Sequence, residues 1–386
     1  MELNDMAQFN EPISSQLLAI DENLTQLVTD IDILSSVNPL NYAQERERFI
    51  SNKYSQEPNF QYQKAPLDTH QSKRRLYELP LEHIEDAQLQ KLYEDVIQSY
   101  ADKLDQVNTI GTQEFLYNSL RYYGEPSAKD IANAHFILHL PTEEEESKPE
   151  HDSRSIAHFM QSFADKNGYE CEIQILDGML ANALVSGSRV KINSAAHITT
   201  DELEALAHHE MGVHLLTTLN GRQQPLKVLS LGCPANTNTQ EGLAILCEYL
   251  SGHFSIKRLR TLALRVLAVE SMIKERDFRH TFMLLKEQYK ASDVQAFTIT
   301  SRVYRGGGLT KDYLYLRGFR EVLNAYDKLG DDFSLLLCGK TELKYFDLIR
   351  SLVNKGIFTQ PKFISPALST PKQTNPIHRY IVSALK

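Results

Sequence analysis

Cysteine is scarce: the 386 residues hold four, Cys171, Cys233, Cys247 and Cys338, far apart and never as a C-x-x-C pair. That spacing argues against a cysteine-type zinc ribbon and against a disulfide framework. Positive charge is not in excess either. Lys plus Arg number 41 and Asp plus Glu 50, for a formal charge of −9. Such a chain lacks the electrostatic footprint of a duplex-binding protein, and no nucleic-acid partner is expected. No apolar run approaches the roughly 18 residues that a membrane-spanning helix requires. The opening residues, Met1-Glu2-Leu3-Asn4-Asp5, offer no basic stretch followed by an apolar one, so no secretion signal is read there. These absences point to a globular protein of a reducing cytoplasm, with neither membrane nor nucleic acid as partner. A chain of 386 residues can bury a core that needs no structural metal, and its length suggests two or three domains.

What is present is mostly helical periodicity. Leu17, Leu18, Leu24, Leu27, Val28, Ile31 and Leu34 recur at threes and fours, which predicts an amphipathic helix over 13–35. Asn38-Pro39 breaks it, and further helices are predicted over 42–50, 82–107, 111–123 and 127–138. The stretch 55–75, with Pro58 and Pro66, reads as irregular. Thr142 to Glu150 holds four consecutive glutamates and a proline, a solvated loop and a soft boundary. It divides a mostly helical N-terminal region, 1–150, from a second part, 151–386. After a helix over 153–167, three segments read as strands: 170–176, 179–186 and 189–193, with Gly178 and Gly187 at the turns. Helices resume over 200–219, 240–251, 255–273, 276–290, 312–328 and 341–354, and a proline-bearing tail precedes a last short helix. The expected fold class is α+β, mainly α, with one small sheet just before the most informative helix.

That helix opens Thr199-Thr200-Asp201-Glu202, and Thr199 with Glu202 forms a capping box. Leu203, Leu206 and Ala207 set an apolar face whose register continues onto Glu210, Val213 and His214. A glutamate and a histidine thus sit where aliphatic residues belong, and buried polar groups need partners. A metal ion would satisfy both. The segment His209-Glu210-Met211-Gly212-Val213-His214 is one residue longer than the zinc-protease pattern H-E-x-x-H. Histidines four apart differ by about 40° around a regular helix, whereas histidines five apart differ by about 140°. A π-bulge would absorb the extra residue and return both to one side, and Gly212 would lower its cost. Alone, the string also fits a helix with a few surface histidines. Glu241, in Asn238-Thr239-Gln240-Glu241-Gly242-Leu243-Ala244, lies 27 residues past His214 (241 − 214). From a second helix it could complete a set of two histidines and one glutamate with the fourth position open. It fits equally the partner of an Asn238 capping box.

Together, the stretches 209–214 and 239–244, then Arg302-Val303-Tyr304-Arg305-Gly306, Thr310-Lys311-Asp312 and Tyr315-Leu316, resemble a family of zinc carboxypeptidases. That family includes the microtubule-associated tyrosine carboxypeptidases of animals and bacterial proteins described as flavohaemoglobin expression-modulating QEGLA-motif proteins. The motifs run from 190 to 320, and the helical N-terminus, with Asn38-Pro39, fits more loosely. The loop Gly307-Gly308-Leu309 is short for the family, which suggests a different substrate contact. The resemblance implies a gluzincin-like zinc protease core. It implies one Zn2+ per chain held by His209, His214 and Glu241, with Glu210 as catalytic base. It further implies removal of a C-terminal residue, Tyr or Phe, from a peptide or protein tail. No polybasic arm suited to an acidic tubulin tail is evident, so another tail or peptide is the expected substrate.

The implied chemistry is coherent. A bound zinc would lower the pKa of a water to about 7, and Glu210 would take its proton and pass it to the leaving amine. Tyr304 or Tyr315 would assist at the oxyanion. A carboxypeptidase reads the terminal carboxylate with a cation, preferably an arginine; Arg302, Arg305 and Lys311 are the candidates. The strand before the metal helix offers the backbone of Ile192 and Asn193 to an extended substrate. His197, His208 and His253 are read as helix-end, surface or outer-sphere residues. Glu248, on one helix face with Glu241, either hydrogen-bonds a ligand histidine or faces an exposed lysine. Lys257, Arg258, Arg260 and Arg265 read as a solvated face. The competing readings are an endopeptidase or aminopeptidase on the same core, an inactive regulatory binder, and a purely structural helical protein.

Overall fold

Amphipathic spacing becomes helix nearly everywhere the sequence offers it. The computed structural model describes residues 13–29, 31, 33–63, 67–141, 148–372 and 376–386. Helices occupy Ser15–Val28, Tyr42–Ser51, Ala87–Asn108, Glu114–Tyr123 and Ala128–Leu138 in the first part, and a short turn of helix, Ile33–Ser36, stands apart. Ser153–Asn167, Thr200–His209, Thr237–Leu250, Ile256–Glu275, Leu314–Leu329 and Phe346–Asn354 follow the expected places. The molecule is mainly helical with small sheets, as α+β, mainly α, requires. Among the described residues no helix is long and apolar enough to cross a membrane.

Two expectations are corrected, and one helix stands where none was predicted. Residues 69–77 are helical rather than irregular: Asp68 Oδ1 accepts from the Gln71 amide, and only Thr69 and Leu76 are buried, so there is no apolar stripe to see. Asp293–Tyr304 is a helix capped by Ser292, although its Val, Ile and Thr residues favour strand. The segment predicted over 276–290 splits into Phe278–Met283 and a π turn, Leu284–Gln288. Most of the acidic loop at 142–150 lies outside the described residues. One buried apolar cluster runs through the chain from Leu17 to Leu385, with Leu92, Ile156, Leu246 and Phe319 among its members.

The sheet is smaller than expected. Strands β1 (His151–Asp152) and β5 (His197–Ile198) make an isolated antiparallel pair. Strands β2 (Glu172–Leu176), β3 (Ala183–Ser186) and β4 (Arg189–Asn193) form a second sheet in the order β2-β4-β3. Residues 179–182 are loop, not strand. Strand β4 is central, parallel to β2 and antiparallel to β3. Asn193 donates to the Asn182 carbonyl at 2.9 Å. Antiparallel pairs alternate in their bonding, so the backbone N–H and C=O of Ala183 and Val185 face the open edge.

Two helices that carry the site meet backbone to backbone. A Cβ on Gly242 would collide with the Gly318 carbonyl, and one on Gly318 with the Asn238 carbonyl. Neither glycine has a positive φ, so the need is for close approach alone. That approach sets Glu241 against Lys311 and Tyr315. Nearby, Thr239 Oγ1 donates to Glu342 Oε2 at 2.8 Å.

Two predictions follow from these contacts. Gly242→Ala lowers stability by about 1–3 kcal/mol through overpacking, read from the urea midpoint. Burial pushes the Glu342 carboxyl up to about 7 from 4.5, so the fold holds this proton more tightly than the unfolded chain does. Its contribution is present below pH 4.5 and lost as pH rises through 7. Glu342→Gln therefore raises Tm relative to wild type at pH 8, with a smaller difference at pH 5.

Candidate metal centre

Two imidazoles meet because the chain inserts a π turn. The helix Thr200–His209, with its Thr199–Glu202 capping box, continues as π-helix over Glu210–Leu215 and resumes as Leu216–Gln223. The Leu216 amide bonds back to the Met211 carbonyl, five residues earlier. This absorbs the extra residue, and His214 Nε2 comes within 3.3 Å of His209 Nε2. Gly212 lies inside this turn, and its bare Cα leaves room for Ser365 Oγ, 3.2 Å from where a Cβ would stand.

Glu241 faces both rings from Thr237–Leu250, its Oε2 3.6 Å from each Nε2. The ligand atoms of His209, His214 and Glu241 all lie within 4.8 Å of one another. Lys311 Nζ donates to the other oxygen, Oε1, at 2.6 Å and to the Tyr315 hydroxyl at 3.0 Å. Glu241 Oε2 is buried with no hydrogen-bond partner. A buried acceptor left bare costs about 1–3 kcal/mol, more when charged. Two imidazole nitrogens and one carboxylate oxygen around that gap fit a divalent cation. The capping-box reading of Glu241 fails, because Asn238 Nδ2 donates to Glu321 at 2.6 Å and the helix begins without a side-chain cap.

An outer layer holds the ring of His209. Its Nδ1 lies 2.7 Å from Glu248 Oε1, and Arg258 forks onto Glu248 at 2.9 and 2.8 Å. The first of the two readings of Glu248 is the observed one, and Arg258 belongs to the site rather than to a solvated face. A carboxylate on Nδ1 fixes the proton there and leaves Nε2 bare for a metal. Burial would push Glu248 up, but Arg258 and His209 hold it down at about 2. Burial would push His209 down, but Glu241 and Glu248 lift it to about 10. Burial would likewise raise Glu241, yet Lys311 and the imidazoles keep it well below the usual carboxylate range. Burial raises the carboxyl of Glu210, which lies beside the same groups. A site that grips a proton this firmly is electronegative enough to favour a cation.

The centre opens into a cavity of about 420 Å³, a size suited to a small-molecule or peptide-end ligand. His209, Glu210, His214 and Glu241 line its floor, Arg302, Arg305, Lys311 and Tyr315 one wall, and Met179, Leu180 and Leu184 another. A family model described as microtubule-associated tyrosine carboxypeptidase matches residues 47–386. The chain belongs to this family. No curated protein matches it. The span matched to the carboxypeptidase family contains the floor and the cationic wall, while residues 13–46 precede it.

The remaining candidates separate by geometry. Arg305 lines the cavity, and its guanidinium makes no hydrogen bond with the described residues, its buried Nε bare; burial and Arg302 lower its pKa. Arg302 also lines it but is paired with Asp312 at 2.5 and 3.0 Å. Lys311 is spent on Glu241 and Tyr315. Tyr304 is not at the site: its hydroxyl donates to the Asp277 carbonyl at 2.7 Å, and its ring packs on Phe278. Asn193 is also elsewhere, donating to the Met179 carbonyl at 2.9 Å from a strand already paired on both sides. The open edge is β3, whose Ala183 and Val185 line the cavity. The loop Gly307–Gly308 packs under Thr112, Phe115 and Leu116, away from the cavity. His253 pairs with Asp201 at 2.9 Å, His197 Nδ1 lies 2.7 Å from the Ala196 carbonyl, and His208 meets Phe163 edge to face. Gln240, not among the expected site residues, also lines the cavity, and its buried Nε2 has no partner. Its position beside Glu241 on a buried turn was the available signal.

Glu248→Gln and Arg258→Met each weaken metal binding about 10–100-fold, measured by chelator competition on the folded protein.

Proposed function

We propose that this chain is a zinc-dependent carboxypeptidase that removes one C-terminal residue, preferably tyrosine or phenylalanine, from a peptide or protein tail. The observation that carries the proposal is the bare Glu241 Oε2 between two imidazoles, in one cavity with Glu210 and the unpaired Arg305 guanidinium. Family membership supports a tyrosine carboxypeptidase-like activity.

His209, His214 and Glu241 would hold the ion. When bound, zinc supplies an acidified water and polarises a carbonyl. Glu210 is the residue that handles the proton. Its carboxyl is buried and its pKa raised, which suits a group that accepts a proton and then gives it to the leaving amine. Arg305 presents a planar, unpaired fork to the terminal carboxylate. Lys311 has no acceptor, so toward it the Tyr315 oxygen accepts. The phenolic proton stays free to point into the cavity, where it would stabilise charge on the scissile carbonyl oxygen. The open backbone of Ala183 and Val185 would pair with the extended peptide. The apolar wall at Met179, Leu180 and Leu184 suits an aromatic side chain.

Elemental analysis of wild type and Glu241→Ala, with digests of peptides ending in Tyr, Phe or Lys, tests the proposal. The expected result is one zinc per chain, lost in the variant, and release of only the last aromatic residue. No metal after zinc loading, or equal cleavage of C-terminally amidated peptides, overturns it. Glu210→Gln keeps the zinc and loses about 10²–10⁴ in kcat. Arg305→Met costs about 2–5 kcal/mol in kcat/KM on free-acid peptides.

A further inference from the structure

We propose that Leu34 and Asn38 are specificity-determining residues: they form a stop across the cavity that admits only the last residue of a chain. The inference rests on the carboxypeptidase reading above. It concerns residues that precede the family match at 47–386.

The short helix Ile33–Ser36 is anchored on one side and exposed on the other. Ile33 and Val37, four apart, are buried with Phe115 and Leu309 in a small apolar cluster of their own. Phe115 is also the ring against which Gly306 packs, one residue beyond Arg305. The helix therefore stands on the turn that carries the carboxylate-reading arginine. Leu34, on the helix, and Asn38, two residues past its end, both line the metal cavity. Asn38 Nδ2 donates to the Gly178 carbonyl at 2.9 Å, in the loop between β2 and β3. Asp177, Met179 and Leu180 of that loop line the cavity too.

The N-terminal segment thus spans from the Arg305 turn to the sheet loop. A peptide carboxylate held at Arg305 has this span directly beyond it. A chain continuing past that point meets Leu34 and the Asn38–Gly178 bridge, and an amidated or extended end is turned away by bulk as well as by lost charge. Leu34 is 41% exposed and Leu176, which lines the same cavity, 38%. An apolar terminal side chain entering between them would cover both, which extends the apolar wall on the side of the stop.

The test compares wild type, Asn38→Ala and the double variant Leu34→Ala with Asn38→Ala. All changes are at the surface, and zinc content is measured for each. Substrates are one peptide as free acid, as C-terminal amide, and extended by two residues. The ratio of amide or extended cleavage to free-acid cleavage rises about tenfold in the double variant, the size expected from losing a hydrogen bond and a van der Waals wall. Unchanged ratios at full zinc content overturn the stop. Binding of the same peptides to zinc-loaded Glu210→Gln gives a readout without turnover. Discrimination against the extended peptide in that background, relaxed by the two alanines, supports the stop even if wild type releases nothing. No discrimination there overturns it. Wild-type inactivity with zinc bound, by contrast, sinks only the carboxypeptidase reading.

Discussion

The divided carboxylate of Glu241 is the contact on which the rest of the site depends. One oxygen is taken by Lys311 and the other is left bare between two imidazole nitrogens. Without Lys311 the carboxylate would carry its full charge into the cavity with both oxygens equivalent. With it, a single oxygen faces the histidines in a fixed direction. That arrangement requires two backbones to touch. Gly242 follows Glu241 directly, and Gly318 follows Tyr315 by three residues; any side chain at either would push the helices apart. The glycine of the 239–244 motif is therefore a packing requirement that places a ligand.

Charge around the centre is arranged in pairs that burial makes costly and geometry makes tolerable. Lys311 with Glu241 and Arg302 with Asp312 are withdrawn from water, and Arg258, itself half-buried, pairs with the buried Glu248. Desolvation penalises each ion, so such pairs persist only with close contacts and satisfied hydrogen bonds. Each pair has its distances. Three of the buried polar atoms that lack a hydrogen-bond partner, Glu241 Oε2, Gln240 Nε2 and Arg305 Nε, belong to residues lining the same cavity. Buried polar groups are usually hydrogen-bonded, and three bare ones around one cavity are places where a ligand would supply what the protein withholds.

Much of this could be read from residue order. The misfit of Glu210 and His214 with an aliphatic stripe, and the five-residue histidine spacing, together required a distorted turn, and a π-helix stands there. The long helices were legible because their apolar residues repeat at threes and fours. Thr69–Tyr77 was not, because two buried residues make no stripe, and Asp293–Tyr304 was obscured by β-branched residues whose helical state is imposed by packing. Within the cationic triplet, spacing could not tell Arg302, Arg305 and Lys311 apart. Their neighbours decide, since a cation is available to a ligand only where no carboxylate has claimed it.

The sequence by itself determined the ligand types, their order along two helices, the bulge between the histidines and the family. These are local matters of side-chain chemistry and helical period. The tertiary structure decided which strand edge is open, because a strand's partners are set by chain return and not by its own residues; β4 turned out central and β3 free. It removed Tyr304 and Asn193 from the site and brought in Arg258 and Gln240. It also laid Leu34 and Asn38 over a cavity whose floor begins some 170 residues later in the chain, at His209 (209 − 38 = 171). Contacts at that separation follow from how helices stack around a shared core, and no local pattern encodes them.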